Sequence, residues 1–450
     1  MNETVPAKSP FQSVQQSHLL RLIVIGVLVL SLQIPVLLIK NVVRERQARR
    51  NEAAQEITSK WGNAQTIVGP MLVVPYIKHF VETDRDGKEK TRAEWRFATF
   101  LPGRMEADAK LDCAIRYRGI FQIPVYSLRL HAAGQFTRPD FTEWGIDQQD
   151  VVWDQAHLTL RIADTRAITE SVALRWNDAE LPFLPGAGTF GGGHRGIHAP
   201  MRGRLNGDVF AYAFQLNLNG SSDLYFAPLG EQTEVTAEAD WANPSFQGNW
   251  LPSQRDISAN GFRAAWNIPF LGRNYPQQWL SEANIDSSIS GALFGVKFIS
   301  PVDEYRMSER STKYAIMFLA LTFAAIWLFE VIYRRKVHFI QYLFVGFAMC
   351  LFYLLELALS EHLGFDAAYA IATAAITMLI GFYSAYALRG RNRAAAVSVM
   401  MLLLYGYLYI MLVNQDYALL IGSVLLFLIL AAVMFVTRKI DWYSMDKLDV

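Results

Sequence analysis

Six apolar stretches, one near the start of the chain and five crowded into its last third, restrict this 450-residue sequence to a membrane protein with one large insert. A hydrocarbon layer roughly 30 Å thick is crossed by about 20 residues of helix, since a helix satisfies its own backbone hydrogen bonds where no water is present. The stretches cover residues 22–39, 314–333, 339–359, 365–388, 396–413 and 417–436. Connections among the last five are too short for a folded insert, so residues 313–437 read as one antiparallel bundle.

Lysine and arginine accumulate in short cytoplasmic loops. Arg334, Arg335 and Lys336 follow the second span, Arg389, Arg391 and Arg393 the fourth, and Arg438 and Lys439 the sixth, whereas 360–364 and 414–416 carry neither residue type. This alternation places both termini, 1–21 and 438–450, in the cytoplasm and residues 40–312 outside it. Lys40, Arg44, Arg46, Arg49 and Arg50 after the first span outnumber Lys8 and Arg21 before it and point the other way. The three later loops outweigh them, because long domains are exported largely regardless of charge. The first span exceeds the core of a removable leader and runs into charge without a small-residue cleavage site, so it reads as a signal anchor. Pro35 within it predicts a kink.

A formal net charge of +1 gives no basic stripe for nucleic acid. Cys113 and Cys350 fall in the exported part and inside the third span, so no disulfide framework is expected, and Cys113 reads as a small buried hydrophobe. Residues 40–61 lack proline and glycine and read as a helical stalk, solvated or at headgroup level, with Val43, Gln47 and Arg50 on one face. The body, 70–305, changes to β-branched, aromatic and alternating residues. Strands are expected over 72–81, 94–101, 107–117, 120–132, 151–162, 171–176, 209–218, 223–228, 233–241 and 262–268, with Asp86-Gly87 as a hairpin turn between the first two. The fold class is therefore a six-helix membrane bundle with a large β-rich, sandwich-like, antiparallel periplasmic domain inserted between helices 1 and 2.

Gly191, Gly193 and Gly196 formally satisfy G-x-G-x-x-G, but Ile-His-Ala-Pro follows where a phosphate site needs a helix, and the segment reads as a loop. His194 and His198 are four apart, a ligand spacing only on a helix, so no metal site is assigned. Inside the bundle ionisable residues are few, and each costs free energy unless paired or used. Glu330 has Arg334 four residues on, an interfacial pair. Glu356, Ser360, Glu361 and His362 form the candidate functional polar cluster at the outer end of the third span. Two carboxylates beside an imidazole could hold a cation or relay protons; interhelical capping is the plainer role. Thr373, Thr377, Gly381 and Ala385 make a small-residue stripe for close helix approach. Tyr405, Tyr407 and Tyr409 and the terminal Asp441-Trp442-Tyr443 read as packing and interface anchors. No catalytic, cofactor-binding or metal constellation is expected.

Several blocks carry a family likeness: Thr312-Lys313-Tyr314-Ala315-Ile316, Ala320-Leu321-Thr322-Phe323, Gln341-Tyr342-Leu343 with Val345-Gly346, Phe352-Tyr353-Leu354-Leu355, Ala358-Leu359-Ser360-Glu361-His362 and Ile440-Asp441-Trp442-Tyr443. With Val68-Gly69-Pro70, Pro244-Ser245-Phe246 and Leu251-Pro252, the sequence resembles the CreD family of bacterial inner-membrane, cell-envelope integrity proteins. The resemblance implies a Gram-negative inner membrane, a periplasmic domain and expression within an envelope-stress response touching β-lactam exposure and colicin tolerance. It supplies no reaction, cofactor or catalytic residue. The expected function is non-enzymatic support of the envelope through the β-rich domain, with membrane lipids and an unidentified envelope component as partners. The alternative is an ion-coupled permease using the polar cluster.

Overall fold

A computed structural model describes residues 18–83, 89–188, 193–298, 304–333, 337–387 and 390–438. Two compact units result: one from the two ends of the chain, Met1–Asn51 with Val302–Val450, the other Glu52–Pro301.

Helices α1 (His18–Ser31) and α2 (Gln33–Trp61) are separated by a break at Leu32, and the last residues of α2, from Glu52, belong to the second unit. Pro35 cannot donate to the carbonyl four residues back, which loosens the turn before it, and the Val36 N–H to Leu32 O bond stretches to 3.4 Å. In the second unit α3 (Asp286–Gly291) is a single short helix, and the bundle resumes with α4 (Glu304–Lys313), α5 (Ala315–Tyr333), α6 (Phe339–Leu363), α7 (Phe365–Ala387), α8 (Arg391–Val413) and α9 (Ala418–Thr437). Among the described residues six helical stretches are long and apolar enough to cross a membrane: α1 with α2 taken together, and α5, α6, α7, α8 and α9. Leu32, Phe318, Phe352, Met401 and Leu408 meet in their common core. Gly346 has no side chain because Leu32 occupies the place: a Cβ there would lie 2.2 Å from Leu32 Cδ1. The stripe on α7 serves similarly, since a Cβ on Gly381 would lie 2.2 Å from Ser398 Oγ of α8.

The α2 face expected to be solvated or at headgroup level is partly buried, with Gln47 and Arg50 half-exposed. Val43 is fully buried, and Arg46 beside it bonds within the bundle, so ion pairing substitutes for the missing apolar stripe.

The second unit holds β1 (Gln65–Thr83), β2 (Glu89–Phe100), β3 (Arg104–Arg118), β4 (Phe121–Thr137), β5 (His157–Ile162), β6 (Ala173–Trp176), β7 (Ala179–Pro182), β8 (Leu184–Pro185), β9 (Gly196–Pro200), β10 (Val209–Ser221), β11 (Asp223–Phe226), β12 (Gln232–Ala239), β13 (Pro244–Gly248), β14 (Gln254–Ser258), β15 (Gly261–Pro269), β16 (Gln278–Leu280) and β17 (Phe294–Phe298). One sheet runs β13-β17-β11-β1-β5-β9-β8, with β2 and β16 added beside β1; the other runs β14-β15-β12-β3-β4-β10-β6-β7. Strict alternation in β3 and β15 turns one face of the second sheet inward. Leu72, Leu158, Leu160 and Phe294 of the first sheet and Leu128, Leu130, Leu216 and Trp266 of the second fill a shared core.

Most pairings are antiparallel, as expected, but β1–β11 and β12–β3 are parallel. Parallel partners are joined by long crossovers and leave no turn signal, so hairpin reasoning cannot find them. The strand expected over 151–162 begins only at His157, after a short 3-10 turn at Trp153–Gln155. The β1–β2 register continues to Thr83 and Glu89; the Asp86-Gly87 turn lies outside the described residues. At the helix-to-sheet junction α2 stops before Gly62, whose φ of +149° and close approach to Asn219 O exclude a side chain. Asp164 accepts from Asn63 Nδ2 at 2.8 Å and from Arg166 Nε at 2.9 Å, and the Arg166 guanidinium holds its carboxyl down at about 2.

Candidate functional site

His338 caps the start of helix α6, its ring Nδ1 accepting from Ile340 N–H while its backbone N–H donates to Gln341 Oε1, and Gly364 caps the end. Between these caps the four candidate residues diverge. Glu356 and Ser360, four apart, share a buried face. Glu361 lies on an adjoining face, half-buried, and His362 is exposed.

Across from them runs α4, a polar helix with a buried face of Tyr305, Ser308, Ser311 and Thr312. Its opposite side is anchored by Arg310, which donates to the carbonyls of Met411 and Leu412 at the end of α8. Tyr305 Oη donates to Glu361 Oε1 at 2.8 Å, and Ser308 Oγ donates to Glu356 Oε1 at 2.7 Å. From α2, Arg46 grips Glu361 with both nitrogens, Nε to Oε1 at 2.6 Å and Nη2 to Oε2 at 2.7 Å. This planar two-pronged pairing is the strong form of carboxylate recognition. Ser360 Oγ–H is committed to Leu357 O at 2.8 Å.

The geometry therefore splits the expected cluster. Glu361 belongs to an Arg46–Tyr305 clasp joining α2, α4 and α6, Glu356 pairs with Ser308, and His362 is exposed. Arg46, Tyr305 and Ser308 were not among the sequence candidates. The spacing of Tyr305, Ser308 and Ser311 carried a helical signal, but α4 is too polar to stand out among apolar spans, and nothing local marks Arg46.

At the other end of the bundle Glu330 meets a partner different from the expected Arg334, which lies outside the described residues. Arg21 Nη1 is 3.1 Å from Glu330 Oε2, Arg21 Nη2 donates to Val337 O at 2.6 Å, and Val337 N–H donates to Glu330 Oε1 at 2.7 Å. The first span is thereby clipped to the segment joining α5 and α6. Tyr405 packs on Phe352 with ring centroids 4.4 Å apart, Tyr407 donates to Ile421 O and Tyr409 to Asp366. All three tyrosines serve packing, as their spacing suggested.

In the β-rich unit the described residues on either side of the expected glycine loop, up to 188 and from 193, make structural contacts. Gly191 lies outside the described residues, and Gly196 opens strand β9, so the described chain offers no helix N-terminus for a phosphate. His198 Nδ1 is 2.8 Å from Gly186 O, and Thr159 Oγ1 donates to Ala187 O at 2.9 Å. Gly188, at φ +88°, covers His157 so closely that a Cβ would lie 2.2 Å from its Nε2. Burial pushes His157 down to about 4. His194 turns to Asp286, 3.0 Å away, which Arg161 also binds at 2.6 Å. Among the described residues no group of three His, Cys, Asp or Glu is placed to hold a metal. Cys113 and Cys350 are free thiols; Cys113 is half-buried rather than buried, and loss of water pushes it up to about 12.

A family model described as "Inner membrane protein CreD" matches residues 17–443. The chain belongs to the CreD family. The inner membrane protein CreD of Escherichia coli (strain K12) is 33% identical over 418 residues, covering 92% of each chain. The CreD match spans both units, and with six membrane-crossing helices it makes the protein a multi-pass inner-membrane protein. The family blocks Val345-Gly346 and Ser360-Glu361 coincide with the Leu32 crossing and the Arg46 clasp; the block Ile440 to Tyr443 lies outside the described residues.

Proposed function

We propose that the protein supports cell-envelope integrity and the response to envelope stress without catalysing a reaction. Its β-rich domain acts on the periplasmic side, and the bundle fixes that domain to the membrane. The observation that carries this reading is that the family match runs through Glu52–Pro301 as well as the spans, so the insert belongs to the family's shared plan. A two-layer body with its own continuous core is suited to binding an envelope component, which together with membrane lipids is the proposed set of partners.

The bundle geometry supports the orientation with both termini cytoplasmic. Arg21 bonds to Val337 at one end of the bundle, and Val337 directly follows Arg334, Arg335 and Lys336 in sequence. The basic residues after the first span are largely spent in ion pairs, Arg44 with Glu309, Arg46 with Glu361 and Arg49 with Glu45, which weakens their contrary vote. Ion-coupled transport through the whole polar cluster is the lesser reading, because Glu361 is engaged by Arg46 and Tyr305 and His362 is exposed.

Deleting residues 62–305 while retaining the spans tests the proposal. Loss of an envelope phenotype, scored as altered survival under β-lactam or detergent stress at matched protein level, is expected. Full activity in that truncation would overturn it.

A further inference from the structure

Glu356 is fully buried inside a span, and its Oε2 has no hydrogen-bond partner. Its other oxygen meets only Ser308 Oγ. The Tyr305–Glu361 and Ser308–Glu356 contacts run α4 antiparallel to α6, so Ser311 lies one turn deeper along the same line of contact. Its hydroxyl is likewise buried and without a partner.

Among the described residues the cations of α2 and α4 near the contact with α6 are already engaged, and the neighbouring phenols are uncharged. Arg46 of α2 is held by Glu361, Arg310 of α4 by the α8 carbonyls, and Tyr305 by Glu361. Tyr353 of α6, Tyr369 of α7 and Tyr405 of α8 bring phenols, with Tyr369 Oη donating to Tyr405 O. Among the described residues no lysine, arginine or histidine pairs with Glu356. An ionised carboxylate in apolar surroundings demands a positive charge close by. Three oxygen-bearing side chains without sulfur or imidazole suit a hard, small cation.

We propose that Glu356, Ser308 and Ser311 form a binding site for one small monovalent cation, a proton or Na+, within the helical bundle. This site is independent of the envelope role assigned to the β-rich domain. It joins α4 to α6, so its occupancy tightens the bundle.

The test uses the full-length protein purified in detergent. Infrared difference spectra between wild type and Glu356→Gln, in NaCl or in choline chloride at equal ionic strength, separate the two ligands. A carboxylic-acid band present only in the wild type identifies the proton. A carboxylate band that shifts when Na+ replaces choline identifies Na+. Absence of both overturns the proposal. Should Glu356→Gln fail to fold, the Ser308→Ala, Ser311→Ala double variant keeps the acid. Its midpoint for stabilisation by Na+ should then weaken about tenfold, or its pH midpoint move by about one unit, the worth of a hydrogen bond to a charged group. Unchanged midpoints overturn the proposal.

Discussion

Two side chains set the sharpest expectations at the scale of single residues. Arg46 and Glu361 form a partly buried, two-pronged pair, and removing one leaves the other in a poorly solvated place. Arg46→Ala should lower the stability of the detergent-solubilised protein by about 1–3 kcal/mol. A double-mutant cycle with Glu361→Gln measures the coupling, and a value indistinguishable from zero would mean the contact contributes nothing. His157 gives a pH dependence of known sign. Burial brings it to about 4 in the folded chain, while the unfolded chain takes up a proton near about 6.5. Its contribution is therefore complete above about pH 6.5 and declines as pH falls toward about 4, at roughly 1.4 kcal/mol per unit. Unfolding followed by tryptophan fluorescence, with most of the 11 tryptophans in the β-rich unit, should show that slope, and His157→Gln should flatten it. A slope unaltered by His157→Gln would assign it to other groups. Glu361 stood among the sequence candidates, but neither Arg46 nor His157 was legible as important in the sequence. His157 sits in an ordinary strand pattern, and its burial comes from Gly188, which approaches from another part of the chain.

Elements were more legible than residues. Spans and long strands announce themselves through composition and a short period, which is why β3, β4, β10, β12 and β15 coincide with expectation. The strands that were missed, β7 to β9, β13, β14, β16 and β17, are short and lie toward the sheet margins or carry proline and glycine, so too few alternating positions exist to reveal them. Their strand character comes from a neighbour's hydrogen bonds. Proline marked the kink in the first span correctly, but only the fold shows that the loosened turn at Leu32 drops into the notch left by Gly346. That crossing predicts that Gly346→Ala costs about 1–3 kcal/mol by overpacking. Adding Leu32→Ala should recover part of the loss, because it vacates the volume that the new methyl group enters. Thermal unfolding of the three variants measures this. If the double variant is as unstable as the sum of the singles, the crossing is not where Gly346 acts.

For the whole molecule the decisive property is the side of the membrane each unit occupies. In a chain with Cys113 and Cys350 replaced by serine, a membrane-impermeant thiol reagent applied to spheroplasts should label Ser258→Cys in β14 and spare Asn392→Cys at the start of α8. The reverse pattern would place the β-rich unit in the cytoplasm and remove the envelope role. The sequence by itself determined the six crossings, the large insert and its β character, because hydrophobicity and alternation act over a few neighbouring residues and require no partner. Only the tertiary structure decided which groups meet: Arg21 with Val337 across 316 positions and Arg46 with Glu361 across 315. No local period links residues so far apart. Their pairing follows from charges seeking compensation in an apolar medium once the helices have packed.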